Sequence, residues 1–230
     1  MTSDTDCLIV VLTKDPVPGK VKTRLVPELG AAVAARLHAS LVHRTLDLVL
    51  QSGLRAQVSL DGDLNGVFAN TIRDRGFTVR AQSGGDLGAR LVEALGVRDP
   101  STRRIALGTD APGLQASWLL DAARMNGPVV LGPAVDGGYW LIGVPSESRG
   151  GLGPDVLALF RDMPWSTSAL TRVTLQRAHQ VGLHIDILPT SYDVDRPADL
   201  QVMREDPHCP PSLLQFLEKT APAPSPPCPS

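Results

Sequence analysis

Apolar, strand-length runs recur along this chain, and helical periodicity fills the gaps between them. The runs fall at residues 7–12, 55–60, 77–81, 104–108, 128–131, 139–144 and 184–188. Between the first two, Val33, Leu37, Leu41 and Leu48 share one helical face. They predict an amphipathic helix over 30–51, closed by Gly53. Further helices are expected over 64–75, up to residue 95, over 117–125 with Ser117 as a candidate cap, over 168–181 and over 197–204. Strands that alternate with helices need crossover connections, so the pattern predicts one α/β domain with a mostly parallel sheet.

The chain is long enough for a real core, since 43% of its 230 residues are hydrophobic and 20% are charged. A net charge of −2 creates no overall attraction to nucleic acid or anionic lipid. Cys7, Cys209 and Cys228 have neither metal-site spacing nor an even count for a disulfide framework. The start is acidic, unlike a secretion signal, and no apolar run reaches membrane-spanning length, so a reducing cytoplasm is expected. Beyond Pro207 proline becomes frequent. The expected division is a single domain over 1–206 and a weakly ordered tail over 207–230, in which 212–219 could form a turn or two of helix.

The first strand runs into a loop holding Lys14, Lys20, Lys22 and Arg24, stiffened by Pro16, Pro18 and Gly19. The carboxyl end of a first α/β strand is where an open sheet receives phosphorylated ligands. The loop is not a Walker A motif, because Val21 follows Lys20 and the earlier glycine is missing. It is either a solvated basic turn or a phosphate cradle.

Four other segments carry chemistry with a plainer alternative beside it. Asp110, after the strand at 104–108 and before Ala111-Pro112-Gly113, suits either a divalent cation or an Asx turn. Asp195 could be a helix N-cap, with Asp199 serving the helix dipole, or a second metal ligand. Gly84-Gly85-Asp86-Leu87-Gly88 is a capped turn or a surface for a nucleobase. Asp136-Gly137-Gly138-Tyr139 reads as an acceptor-binding loop more than as a hairpin turn. Trp165-Ser166-Thr167 reads as core plus a helix cap. The five histidines form no metal or triad spacing, and no motif for covalent catalysis is present.

Taken in order, Lys14-x-Pro16-x-Pro18-Gly19-x-x-Lys22-Thr23-Arg24-Leu25, Gly85-Asp86-Leu87-Gly88, Gly108-Thr109-Asp110-x-Pro112-Gly113, Gly132-Pro133-Ala134-x-Asp136-Gly137-Gly138-Tyr139, Trp165-Ser166-Thr167 and Asp193-Val194-Asp195 resemble a known group. They are similar to the CofC-like family of GT-A-fold glycosyltransferases and nucleotidyltransferases, related to 2-phospholactate guanylyltransferase. The resemblance spans residues 7 to about 203. It implies a GT-A (spore-coat-polysaccharide-synthesis-like) α/β/α sandwich that binds a nucleotide through Mg²⁺ or Mn²⁺. Lys14, Gly19, Lys22 and Arg24 would hold the donor's phosphates, and Gly85 and Asp86 would face its base. Asp110 and Asp195 would hold the metal, while Asp136, Gly137, Gly138 and Tyr139 would line the acceptor side. Asp15 and Ala111 depart from the family's usual residues at positions without an assigned role.

Two enzyme readings follow. In nucleotidyl transfer, a phosphate or phosphonate on a small acceptor attacks the α-phosphorus of a nucleoside triphosphate, and Lys22, Arg24 and Asp110 carry the catalysis. In glycosyl transfer, the donor is a nucleoside-diphosphate sugar and Asp136 serves as base. Four cations suit a departing pyrophosphate and favour the first. A non-catalytic nucleotide sensor or partner-binding module is the third reading.

Overall fold

The computed structural model describes residues 7–96, 103–144 and 152–220. The acidic start, Cys228 and the last ten residues of the proline-rich tail lie outside them. The chain opens with β1 (Cys7–Lys14), a 3₁₀ turn (Thr23–Leu25), α1 (Val26–Leu29) and α2 (Ala31–Ser52). Next come β2 (Arg55–Asp61), α3 (Val67–Asp74), β3 (Thr78–Ala81), α4 (Leu87–Leu95), β4 (Arg103–Leu107) and α5 (Ala116–Arg124). The second half has β5 (Val129–Pro133), β6 (Tyr139–Val144), α6 (Pro154–Leu157), α7 (Leu170–Gln180), β7 (Ile185–Ile187), α8 (Pro197–Glu205) and α9 (Pro211–Thr220).

The seven strands form one sheet in the order β3-β2-β1-β4-β6-β5-β7. All neighbours are parallel except β6, which runs antiparallel to both β4 and β5. Helices cover both faces, so the strands alternate between two buried cores. Ile9 and Val11 of β1, with Ile105 and Leu107 of β4, pack with Val42, Leu46 and Val49 of α2 and Leu119 of α5. Ala106, Leu131 and Ile142 pack on the opposite face with Leu91 and Leu95 of α4 and Ala178 of α7. This is the expected α/β/α sandwich with a mostly parallel sheet.

The chain leaves β1 toward β2 and β3 on one side, then returns to place β4 on the other. The loops after β1 and β4 therefore diverge, and an open α/β sheet forms its ligand crevice at such a switch point.

Ordered packing continues past residue 206. Leu213 and Leu217 of α9 are buried against Leu37 and Leu41 of α2, together with Cys209. The composition-based boundary fails here because an i, i+4 leucine pair supplies an apolar face despite the surrounding prolines. At α5, Gln115 rather than Ser117 occupies the cap position, without a side-chain bond. The third helix starts late because Asp63 accepts from the Asn65 N–H at 2.9 Å and holds a turn there.

Candidate active site

Val21 and Leu25 are buried and anchor the basic loop on either side of Lys22. Lys22 itself adopts the left-handed conformation, φ 47° and ψ 41°. That conformation is unfavourable for a side-chain-bearing residue and persists only where surroundings enforce it. The enforcement is visible. The Lys22 ammonium, on a side chain only 3% exposed, lies 2.6 Å from Asp110 Oδ1 and donates to the Val194 carbonyl at 2.6 Å. Lys14, Lys20 and Arg24 stay exposed around it, and Gly19 turns the loop at φ 79°.

Asp110 follows β4 directly. Its carbonyl accepts from the Val194 N–H at 2.8 Å, so the segment after β7 is tied to the end of β4. The same segment is held to the end of β5 through Val135 N–H to Ser191 carbonyl, 2.9 Å, and Ser191 N–H to Pro133 carbonyl, 3.0 Å. It thus crosses the carboxyl edge of the sheet and carries Asp193 and Asp195 there, on either side of fully buried Val194. Asp195 is not the cap of α8: Asp199 accepts from the Asp195 and Arg196 N–H groups at 2.9 and 2.6 Å. The Asp195 carboxylate is free for Arg24 and forms an ion pair with it.

These residues line a cavity of about 520 Å³ between the loops after β1 and β4. Lys14, Lys20, Lys22 and Arg24 give it a basic lining, and Leu12, Leu87, Leu91 and Ile142 an apolar one. A second cavity, about 630 Å³, lies beyond Asp193 and is lined by Asp136, Asp199, Asp206 and several hydroxyl groups. Arg24, Asp193 and Asp195 line both cavities and mark their junction.

Burial opposes the charge of Asp110, yet Lys22 outweighs it and holds the carboxyl below its usual range. Asp193 goes the other way. Burial, then the negative charges of Asp110, Asp136 and Asp195, push it up to about 7 against the pull of Lys22. Its carboxyl has no hydrogen-bond or ion-pair partner among the described residues. His38, beneath the basic loop, is lowered mainly by burial, and its Nε2 lies 3.0 Å from the Lys14 carbonyl. As the neutral ring it donates there and braces Lys14.

Some of the sequence-derived candidates line the two cavities and others, Gly19 among them, line neither. Lys14, Lys22, Arg24, Asp110 and Asp195 all line the first cavity. Asp86 caps α4 by accepting from the Ala89 N–H at 2.9 Å, and neither it nor Gly85 lines a cavity. Gly88 is needed for packing, since a Cβ there would sit 2.7 Å from the Phe160 carbonyl and the Trp165 ring. Asp136–Tyr139 form the β5–β6 hairpin. Gly137, at φ 88°, has no room for a Cβ against the Ser168 carbonyl. The turn puts Asp136 in the second cavity and Tyr139 in the first, while Gly137 and Gly138 line neither. The Tyr139 hydroxyl is buried without a partner, and burial raises it well above an ordinary phenol.

Asp193 and Arg90 were not among the sequence candidates. Alternation around Val194 could have flagged Asp193, because i and i+2 carboxylates in extended chain share a side. Arg90 lines the first cavity one turn into α4 and bridges Asp61 (3.0 Å) and Gln82 (2.5 Å).

Residues 45–167 match the family described as "Uncharacterized protein conserved in bacteria (DUF2064)". The chain belongs to the DUF2064 family. The crystal structure of a "putative nucleotide-diphospho-sugar transferase" from Desulfovibrio desulfuricans G20 is similar to this DUF2064 member at a TM-score of 0.74 and 25% identity, over 94% of this chain and 96% of that one. The inositol-1-phosphate CTP transferase from T. maritima shares the fold at a TM-score of 0.56 and 12% identity, over 94% and 96% of the two chains. No curated protein matches the sequence.

Proposed function

We propose that this protein is a nucleotide-dependent transferase that moves a nucleotidyl group from a nucleoside triphosphate to a small acceptor. The observation that carries the reading is one cavity lined by Lys14, Lys20, Lys22 and Arg24 together with Asp110. The triphosphate lies along the cations, with its base toward Leu12, Leu87, Leu91 and Tyr139. An acceptor oxygen attacks the α-phosphorus from the junction with the second cavity, and where that oxygen is a hydroxyl its proton passes to water in the open junction. The bond between the α-phosphorus and the bridging oxygen breaks, and pyrophosphate leaves with that electron pair. Lys22 and Arg24 neutralise the charge that develops, so positioning and electrostatics supply the acceleration.

Asp110, Asp193 and Asp195 offer the hard oxygen donors that Mg²⁺ or Mn²⁺ takes. Among the described residues no three His, Cys, Asp or Glu side chains gather into a metal cage. A pair of carboxylates completed by phosphate and water is the arrangement usual for Mg²⁺. Such an ion, when bound, neutralises charge on the donor's phosphate oxygens.

Glycosyl transfer from a nucleoside-diphosphate sugar is the second reading, favoured by the description of the D. desulfuricans protein. Thermal stabilisation by each nucleoside triphosphate and diphosphate sugar, with and without Mg²⁺, separates the two. A ligand at about 100 times its Kd adds roughly 2.7 kcal/mol. A Mg²⁺-dependent shift with one triphosphate, followed by pyrophosphate release, supports nucleotidyl transfer. A shift with a diphosphate sugar alone supports glycosyl transfer, and no shift with any ligand overturns both.

A further inference from the structure

The lining of the second cavity bears on what the acceptor is. Its volume, about 630 Å³, suits a small organic molecule. Beside the junction residues Asp193 and Asp195 its wall carries Asp136, Asp199 and Asp206, against the cations Arg24 and Arg196 and with His208 beside them, so carboxylates outnumber fixed cations. Each carboxylate is pinned by the backbone: Asp136 by the Gly138 N–H at 2.8 Å, Asp199 by Asp195 and Arg196, and Asp206 by the His208 N–H at 2.8 Å. Asp206 also accepts from the Tyr192 hydroxyl at 2.9 Å. An ionised carboxylate has about four acceptor sites, so each keeps capacity for a ligand that donates. Ser166, Ser168, Thr190 and Ser191 add hydroxyls with no protein partner among the described residues, and half-buried Trp118 offers a flat apolar plate.

We infer that the second cavity binds a polyhydroxylated molecule carrying no anionic group, a sugar or cyclitol, which presents a hydroxyl to the donor. This rests on the first cavity being the donor site. Hydroxyls supply the donors that fixed carboxylates require, and the C–H face of a ring fits against Trp118. A phosphate would meet more carboxylates than cations there, with Asp199 and Asp206 half-buried, and the like charges disfavour it. The acceptor thus differs from the phosphate- or phosphonate-bearing molecule that the sequence suggests.

The test is saturation-transfer NMR and calorimetry on the full chain with matched probes. These are glucose, mannose and myo-inositol against glucose 6-phosphate, mannose 6-phosphate and myo-inositol 1-phosphate, each with and without nucleoside triphosphates. The neutral members should bind, and each phosphorylated counterpart should bind at least about tenfold more weakly. Asp136→Asn and Asp206→Asn, checked for folding by circular dichroism, should each weaken neutral binding and narrow that gap. Tighter binding of the phosphorylated series overturns the inference. So does an absence of neutral binding while a triphosphate binds, or a preference that neither folded variant changes. Failure of every triphosphate to bind strikes the donor reading instead, and the sugar titrations still decide this one.

Discussion

The two cavities share Arg24, Asp193 and Asp195, yet their walls carry opposite charge. One is lined by lysines and leucines. The other has aspartates and hydroxyls. In a chain with net charge −2 the contrast comes from placement, not composition. The cations sit at the end of β1 and on the loop after it, the carboxylates on the hairpin, the segment after β7 and α8 with its C-cap, and the fold brings them together at one edge of the sheet. On the reading proposed above, the difference teaches where the reaction belongs: a polyanionic donor would lie on one side of the junction and a hydroxylated acceptor on the other, with charge separating their sites.

Breaking the first cavity should have the largest effect. Lys22→Ala removes the buried ammonium and leaves Asp110 Oδ1 without its neighbour. Turnover should fall by about 10²–10³, the usual loss when one preorganised charge-stabilising group is removed. Sugar binding in the second cavity should persist. Pyrophosphate release and calorimetry read the two sides separately, and a variant within a few-fold of the parent would remove Lys22 from the mechanism.

The converse experiment is Gly137→Ala. The residue is at positive φ and has no room for a methyl group against Ser168. Stability should drop by about 1–3 kcal/mol in denaturant unfolding. Because the hairpin positions Asp136 in the second cavity and only Tyr139 in the first, sugar affinity should fall further than triphosphate affinity. Equal losses on both sides would mean that the cavities are not independent.

Asp193 tests the junction through pH. Its carboxyl is raised to about 7 from an ordinary 3.8, so between those values the folded protein binds the extra proton. Stability therefore falls as pH rises across that window. Asp193→Asn removes the dependence: in metal-free buffer the variant should be more stable than the parent at pH 8 by on the order of 1–2 kcal/mol, with the gap closing toward pH 4. Parallel melting curves from pH 4 to 8 would show that burial and the neighbouring carboxylates do not hold Asp193 protonated.

Much of this was legible because it is local. Seven apolar runs give seven strands, and the cations of residues 14–24 give the basic wall. What escaped depends on tertiary pairing. Alternation is the same in either direction, so nothing in residues 139–144 reveals that β6 runs antiparallel. Two aspartates flank Val194, and nothing in their spacing reveals that Arg24, distant in sequence, pairs with Asp195 and not with Asp193. Arg90 was hidden behind the cap that Asp86 makes. The α9 leucines were outweighed by prolines, whose count says little about a face formed by Leu213 and Leu217.

The smallest effect should come from the Arg24–Asp195 pair, and its sign is what matters. The side chains are 55% and 37% exposed, so the pair contributes about 0.2–1 kcal/mol and is screened by salt. Neither Arg24→Gln nor Asp195→Asn should move the melting temperature much. Ligand binding should separate them. If Arg24 serves the donor's phosphates, Arg24→Gln weakens triphosphate binding by about two- to fivefold. Asp195→Asn frees the guanidinium and should strengthen binding by a similar factor when divalent cations are chelated. With Mg²⁺ present the same substitution should weaken binding, because a carboxylate available to the ion is gone. A reversal of sign between the two buffers would place Asp195 in both roles, partner to Arg24 without the ion and ligand to it with the ion. The same sign in both would leave Asp195 only as the tether of Arg24, and Asp110 and Asp193 as the pair available to Mg²⁺.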